Sequence, residues 1–285
     1  MTIKIKKISE QQITDTVKSL FLDAVRILPA DVCSALRKAL KKEESSMGKS
    51  VLSQLLENRD IAYREGLALC QDTGFAVVFI EWGDRVLFEG KDLFKAVNEG
   101  VRRAYKEGFY RKSIVSDPVF DRKNTGDNTP SVLHFEMVKG DKVRIIAAPK
   151  GSGSENMSAI RMLRPADGLE GIKNFVLETV DKAGGNPCPP IIVGVGIGGT
   201  FEKAAILSKK ALFRKIGQKN KDSRYAELEK QLLDEINKLG IGPMGLGGTV
   251  TALAVNIEYY PCHIASLPVA VNIQCNSARH KEAIL

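Results

Sequence analysis

The sequence predicts a mixed α/β fold in which a helical N-terminal region precedes a mixed sheet with helices. Apolar residues recur at three- and four-residue spacing through residues 10–66, which is the pattern of amphipathic helices. After that region, short apolar runs such as AVVFIEW (76–82) and IIVGVGI (191–197) stand between helical patterns, as buried strands do. No linker-like segment divides the chain, so we expect one domain over residues 1–285, in which residues 1–66 could form a helical lobe.

The elements of the first half follow from local patterns. Pro29 separates the first helical pattern from the second, and DLFKAVNEGVRRAYKEG predicts a further helix over residues 91–107. Residues 113–132 are dense in Asp, Asn, Gly, Pro and Thr, which predicts an irregular loop. The strands VLHFEMV and KVRIIAA come next, and the turn KGDK (139–142) between them indicates a hairpin.

The second half alternates glycine-rich segments with regular elements. The stretch PKGSGSENMSAIRML predicts a glycine-rich loop that opens a helix. Further helices are expected over residues 169–183, over FEKAAILSKKAL and over residues 220–239. The last section, VTALAVNIEYYPCHIASLPVAVNIQC, is rich in strand formers.

Composition excludes several classes of protein. No apolar run approaches the roughly 18 residues needed to span a membrane, and the N-terminus lacks the apolar core of a signal peptide, so we expect a cytoplasmic protein with no membrane contact. Aromatic residues are 6% and no nucleic-acid module is recognisable, so no nucleic-acid partner is expected. The net charge of +8 indicates either a solvated basic surface or a cleft that attracts a small anionic substrate.

Five cysteines, an odd number spread widely, argue against a disulfide framework. Cys33 lies on the helical pattern VCSALRKAL and is expected to pack in the core. Cys70 in LCQDTG, Cys188 in GNPCPP and Cys275 in IQCNSA instead lie in polar loops rich in glycine or proline. Taken alone, these three thiols could be structural, or they could hold one iron–sulfur cluster that leaves an iron open to substrate.

Two glycine-rich segments are candidate ligand loops. Gly194–Gly199, GVGIGG, matches the dinucleotide fingerprint G-x-G-x-x-G between a strand and a helix. The acidic residue expected about twenty positions later is absent, since the sequence there is RKIGQKN, so a nucleotide-binding oxidoreductase is only a remote alternative. Lys150–Asn156, KGSGSEN, lacks the P-loop spacing and suits either a carboxylate site or a solvated turn.

Six strings of the sequence together resemble one known family, and they occur in order from about residue 20 to the C-terminus. The strings are CQDTG, RKSIVSDPVFDRKNTGDNTP, APKGSGSENMSAIRML, NPCPPIIVGVGIGGT, GPMGLGGTVTALAV and HIASLPVAVNIQCNSARH. They resemble the class I, iron–sulfur-dependent fumarate hydratase family, and more closely the alpha subunit of a two-subunit fumarase or of the related L-tartrate dehydratase.

The resemblance implies a 4Fe–4S cluster and a set of site residues. The cluster ligands would be Cys70, Cys188 and Cys275, in loops at strand ends. Gln71 and Asp72 would contact the substrate, and Asp72 is the candidate acid/base group.

Further residues of the implied site come from the other matching strings. Arg111 would pair with a substrate carboxylate, and the loop at Gly151 and Gly153 would supply backbone N–H groups. His263, which precedes Cys275 by twelve residues, would be the active-site histidine and a second catalytic residue.

The implied reaction is reversible hydration of fumarate to S-malate, a step of the tricarboxylic acid cycle, and the same chemistry on L-tartrate is the nearest alternative. Single-chain members of the family continue with a further C-terminal domain, whereas this chain ends at Leu285. We therefore expect a separate beta subunit, an alpha–alpha dimer within a heterotetramer, and little activity from this chain alone.

Overall fold

A computed structural model describes residues 5–285. The helices are α1 (Glu10–Arg26), α2 (Ala30–Lys42), α3 (Ser46–Glu65), α4 (Leu93–Glu107), α5 (Ser152–Glu155), α6 (Gly168–Ala183), α7 (Phe201–Ala211) and α8 (Ser223–Lys238). The strands are β1 (Lys6–Ser9), β2 (Phe75–Gly83), β3 (Val86–Glu89), β4 (Val132–Val138), β5 (Val143–Lys150), β6 (Ala159–Leu163), β7 (Ile191–Gly198), β8 (Ala252–Tyr260), β9 (Leu267–Gln274) and β10 (Lys281–Ile284). The predicted mixed α/β class is confirmed.

The chain divides into two compact units. The first contains the residues up to Pro29 with 59–152 and 279–285, and the second contains 30–58 and 153–278. Helix α1 therefore belongs to the first unit and α2 to the second. The expectation of one functional domain over residues 1–285, with a lobe over 1–66, stays a prediction.

The first unit is built on a four-stranded sheet in the order β10-β5-β2-β4. The central strand β2 pairs antiparallel with β5 and parallel with β4, and β10 pairs antiparallel with β5. Helices α1 and α4 pack on each other, and their apolar faces form one core with the sheet. Ser9 and Gln12 cap α1 reciprocally and Asp92 caps α4, so both helices begin where their free N–H groups find acceptors.

One sequence prediction about this sheet was wrong. The turn over residues 139–142 led us to expect a hairpin of β4 and β5, but β2 lies between them. Strand β2 is buried along nearly its whole length, and it fills the centre of the sheet with a partner on each side. A local turn signal contains no information about a strand that arrives from elsewhere in the chain.

The second unit is built on a four-stranded sheet in the order β6-β9-β7-β8. Alternate residues of β7 face opposite sides of this sheet. Val193, Val195 and Ile197 join the core formed with α6 and α8. The helix predicted to follow the glycine-rich loop is absent. A short helix, α5, lies within KGSGSEN itself, and residues 159–163 form strand β6.

The other face of β7 explains its glycines. A Cβ at Gly194 would lie 2.1 Å from the carbonyl oxygen of Ser208, and one at Gly196 would lie 2.0 Å from that of Ala204. Both carbonyls belong to α7, so these glycines let the helix pack directly on the strand. Packing of α7 on β7 thereby accounts for the first two glycines of GVGIGG, and Gly198 and Gly199 follow with φ values of +86° and +70° in the turn towards α7. No helix among residues 5–285 is long and apolar enough to cross a membrane.

Candidate active site

In the first unit, the start of β2, the end of β5 and the start of β10 meet at the same end of the sheet, which is called an edge of the site below. The start of β2 lies beside the end of β5, since Phe75 pairs with Lys150. The start of β10 lies beside the same end of β5, since Lys281 pairs with Ala147. Segments 70–74, 150–152 and 279–280 are therefore neighbours, although about 200 positions separate the first from the last in the sequence.

Asp72 is held in one orientation by two backbone groups at this edge. Its Oδ1 accepts a hydrogen bond from the N–H of Gly74 at 3.0 Å, and its Oδ2 accepts one from the N–H of Ser152 at 2.9 Å. Gly74 has a φ of +83°, and a Cβ there would lie 2.7 Å from the nitrogen of Lys150, so only glycine fits this turn. The CQDTG string thus fixes a carboxylate beside the glycine-rich loop.

Tyr105 supports the same turn from the core. Its buried hydroxyl lies 2.7 Å from the carbonyl oxygen of Thr73 and 2.9 Å from that of Gly74, and burial raises the pKa of this phenol well above its ordinary value. The hydroxyl of Thr73 donates to the carbonyl of Arg111 at 2.8 Å. The structure therefore brings the backbone of Arg111 to the Asp72 loop, while the Arg111 side chain is exposed.

Arg279 is a member of this edge that the sequence analysis missed. Its residue exposure is only 1%, and its Nε and Nη1 atoms have no hydrogen-bond partner among residues 5–285. A Cβ placed on Gly151 would lie 3.2 Å from Oδ2 of Asp72 and 3.5 Å from Nη2 of Arg279. The sequence feature that could have identified Arg279 is its position, four residues after Cys275 in the string IQCNSARH.

A corresponding edge in the second unit brings two of the predicted cysteines together. Strand β9 runs antiparallel to β7, and Ile192 pairs with Gln274, so the end of β9 lies beside the start of β7. Asn276 bridges the two cysteine segments, because its backbone N–H and its side-chain amide donate to the carbonyl of Cys188 at 3.2 and 2.8 Å. Cys188 and Cys275 are consequently held near each other by backbone geometry.

The three cysteines named as ligands are partly accessible. Cys70, Cys188 and Cys275 are half-buried and form no disulfide, whereas Cys33 is buried, as predicted, and Cys262 is exposed. Cys188 has a φ of +56°, a left-handed conformation that costs a residue with a Cβ some strain and is common at functional sites. Across residues 5–285, no three Cys, His, Asp or Glu side chains are already gathered closely enough to hold a metal ion.

The remaining predicted residues fall at different places. Gly153 lies near the Cys188 segment, since a Cβ on it would be 3.5 Å from the carbonyl oxygen of Asn186. Gln71 is exposed and adjoins Asp72. His263 lies between β8 and β9, at the opposite end of the sheet from Cys188 and Cys275. The eight residues of β9 correspond to about 25 Å at roughly 3.3 Å per residue, so one chain does not bring His263 to its own Cys188–Cys275 edge.

Comparison with known proteins assigns the chain to a family. The family model for "Fumarate hydratase (Fumerase)" matches residues 14–284. The chain therefore belongs to the fumarate hydratase family and is a hydro-lyase of that family.

The similarity to two relatives covers most of the chain. It is 49% identical over 268 residues to the "Putative L(+)-tartrate dehydratase subunit alpha" of Methanocaldococcus jannaschii, covering 93% of this chain and 94% of that protein. It is 35% identical over 252 residues to the L(+)-tartrate dehydratase subunit alpha of Escherichia coli K12, covering 87% of this chain and 82% of that protein. The resemblance recognised in the six strings is confirmed.

Proposed function

We propose that this chain is the alpha subunit of a two-subunit 4Fe–4S hydro-lyase that reversibly hydrates fumarate to S-malate. The observation that carries the proposal is the pairing of the Cys188 and Cys275 segments through Asn276 in a chain of the fumarate hydratase family. The partner is a separate beta subunit, because the relatives are themselves named alpha subunits. An alpha–alpha dimer within a heterotetramer completes the proposed assembly.

The residues present suit the proposed cofactor. Cys70, Cys188 and Cys275 are partly accessible and form no disulfide, and thiolate sulfur is the ligand that iron–sulfur clusters use. When bound, such a cluster with three protein ligands supplies an open iron that acts as a Lewis acid on a substrate oxygen. A cytoplasmic location belongs to the same proposal, since reducing compartments keep thiols free.

The chain's own residues supply proton transfer and positioning. The two backbone N–H groups that hold Asp72 fix its carboxylate where it can exchange a proton with the substrate carbon or with water. The exposed guanidinium of Arg111 and the amide of Gln71 bind a substrate carboxylate, and the backbone near Gly151 and Gly153 adds N–H donors. Such fixed donors lower the barrier because they need no reorganisation as negative charge develops.

His263 stays in the proposed site, but its position adds a condition. Since β9 separates it from Cys188 and Cys275 in the same chain, a catalytic role requires that His263 come from a second copy. Its loop is exposed, with Ile264 at 92% exposure, and is therefore accessible to a partner. Mixing a His263→Ala chain with a Cys188→Ala chain tests this, because a shared site regains activity in one of its two combinations, whereas a site within one chain regains none.

L-Tartrate is the second candidate substrate, and the printed names of the relatives favour it. Both substrates are four-carbon dicarboxylates, and the residues described above bind features that the two share. Assaying the assembled protein with fumarate, S-malate and L-tartrate decides between them. A kcat/KM for L-tartrate that exceeds the value for S-malate would assign the chain to tartrate dehydration.

The first experiment measures iron and acid-labile sulfide after anaerobic reconstitution. We expect about four irons per chain in the wild type and loss of the cluster in Cys188→Ala and Cys275→Ala. Cys262→Ala is the matched control, because Cys262 is a free, exposed thiol of the same unit outside the proposed ligand set. Absence of iron in the wild type, or equal loss in the control, would refute the cysteine assignment.

A further inference from the structure

Arg279 is a buried cation that forms no ion pair with residues 5–285, although the carboxylate of Asp72 lies nearby. Its exposure is 1%, and Nε and Nη1 lack hydrogen-bond partners among residues 5–285. No ion pair within 4.0 Å is made by its guanidinium to a described acidic side chain. An unpaired buried charge is costly to a fold, so a guanidinium kept in this state calls for a reason other than stability.

The groups around Arg279 indicate what it is kept for. It lies at the edge where β2, β5 and β10 have their neighbouring ends, across Gly151 from the carboxylate of Asp72. Asp72 already accepts hydrogen bonds from the N–H groups of Gly74 and Ser152. The hydroxyl of Tyr105, the third polar group nearby, points at the carbonyls of Thr73 and Gly74. None of these groups accepts a hydrogen bond from the guanidinium.

We infer that Arg279 is a substrate-binding residue that receives an anionic carboxylate of the dicarboxylate substrate. A bound carboxylate supplies what Arg279 lacks, which is a negatively charged acceptor at hydrogen-bond distance from Nε and Nη1. Gly151 keeps a side chain out of the space beside Arg279 and Asp72, because a Cβ there would lie 3.5 Å from Nη2 of Arg279 and 3.2 Å from Oδ2 of Asp72. The inference rests on the proposed function, since it takes a dicarboxylate as the ligand.

The role predicts an unusual combination of effects for Arg279→Met. Removing a buried, unpaired charge leaves the folding of the free chain unchanged or improved, since a long apolar side chain of similar reach replaces it. The same change weakens ligand binding. Arg144→Met is the matched control, because Arg144 lies near the opposite end of β5 and is paired with Glu282 and Glu81.

The experiment uses succinate, a four-carbon dicarboxylate that cannot be hydrated or dehydrated. Binding to the reconstituted protein with its partner subunit is measured by calorimetry, and the urea midpoint is measured on the full chain without ligand. We expect Arg279→Met to bind succinate about tenfold or more weakly, Arg279→Lys to fall between it and the wild type, and Arg144→Met to bind normally. We expect the urea midpoint of Arg279→Met to be no lower than that of the wild type.

Two results overturn the inference. One is succinate affinity of Arg279→Met within about twofold of the wild type. The other is a lowered urea midpoint or failure to fold, which would make Arg279 a structural residue. A wild-type protein that neither binds succinate nor turns over any four-carbon dicarboxylate instead refutes the proposed function, and the inference falls with it.

Discussion

Glu43 provides the sharpest test of how the second unit is held together. Its side chain is buried, and it accepts hydrogen bonds from four backbone N–H groups, those of Glu44, Ser45, Thr249 and Val250, at 2.9–3.0 Å. One carboxylate thus joins the segment after α2 to the segment before β8, about 200 positions away in the sequence. We expect Glu43→Gln to destabilise the protein strongly.

The magnitude follows from counting donors. The amide puts an NH₂ group where one carboxylate oxygen accepted bonds. With that group at Oε2, the N–H of Val250 loses its acceptor, while Thr249 keeps its bond to Oε1. A hydrogen bond to a charged group contributes about 1.5–3 kcal/mol, so the loss of this bond gives an expected destabilisation of about 2–3 kcal/mol. The site cannot relax easily, because Gly48 and Gly248 are packed against the carboxylate; a Cβ on either would lie 2.7–2.8 Å from Glu43 atoms.

The effect has a defined pH dependence. Burial raises the pKa of Glu43, but the four backbone N–H groups outweigh it, so the net pKa lies below the ordinary value of 4.5. The contribution of the carboxylate is therefore complete above pH 4.5 and is lost as the pH falls through the lowered folded-state pKa. The difference in stability between wild type and Glu43→Gln should be largest near neutral pH and should shrink in acid.

Urea denaturation at neutral and acidic pH measures both quantities. Glu44→Gln is the control, since Glu44 is adjacent but exposed, and we expect a change within about 0.5 kcal/mol. A Glu43→Gln variant as stable as this control at neutral pH would refute the reasoning, as would a stability difference that grows on acidification.

Two further predictions concern the same unit. Gly196→Ala should lower the free energy of unfolding by about 2–3 kcal/mol in urea denaturation, because its Cβ would lie 2.0 Å from the carbonyl oxygen of Ala204 and would push α7 away from β7. The control is Ala205→Ser on the outer side of α7, and an equal effect of the two substitutions would contradict the prediction. Glu229→Gln should lower the free energy of unfolding by about 3 kcal/mol, because Glu229 pairs with the largely buried Arg214 and accepts a hydrogen bond from the N–H of Ile257 at 2.8 Å. Substitution of the exposed Glu227 by Gln is the control in the same thermal and urea melts. Equal midpoints for the two variants would show that the buried pair contributes nothing.

Local patterns in the sequence were sufficient for the helices and most strands. Periodicity gave α1, α4, α6 and α8 nearly in full, and Pro29 correctly separates α1 from α2. The pairing of strands was not accessible in the same way. The insertion of β2 between β4 and β5 depends on contacts between segments far apart in sequence, which no turn motif records.

The candidate site likewise combines residues that the sequence identified with one that depends on long-range contacts. Cys70, Cys188 and Cys275 were selected from loop composition and from the family resemblance, and the structure then showed that Cys188 and Cys275 lie at neighbouring strand ends. Arg279 was missed because its position four residues after Cys275 does not by itself reveal that its side chain is buried. Its burial follows only from the pairing of β10 with β5, which is a property of the folded sheet.

The interrupted layout of the first unit has a consequence for biosynthesis. Its sheet needs β10, yet the segment 153–278 is translated between β5 and β10. A ribosome therefore delivers β2, β4 and β5 long before their fourth partner, and β5 keeps an unpaired edge throughout that interval. Strand β10 completes the sheet, so a nascent chain that stalls before residue 279 leaves β5 with an unpaired edge that is open to aggregation.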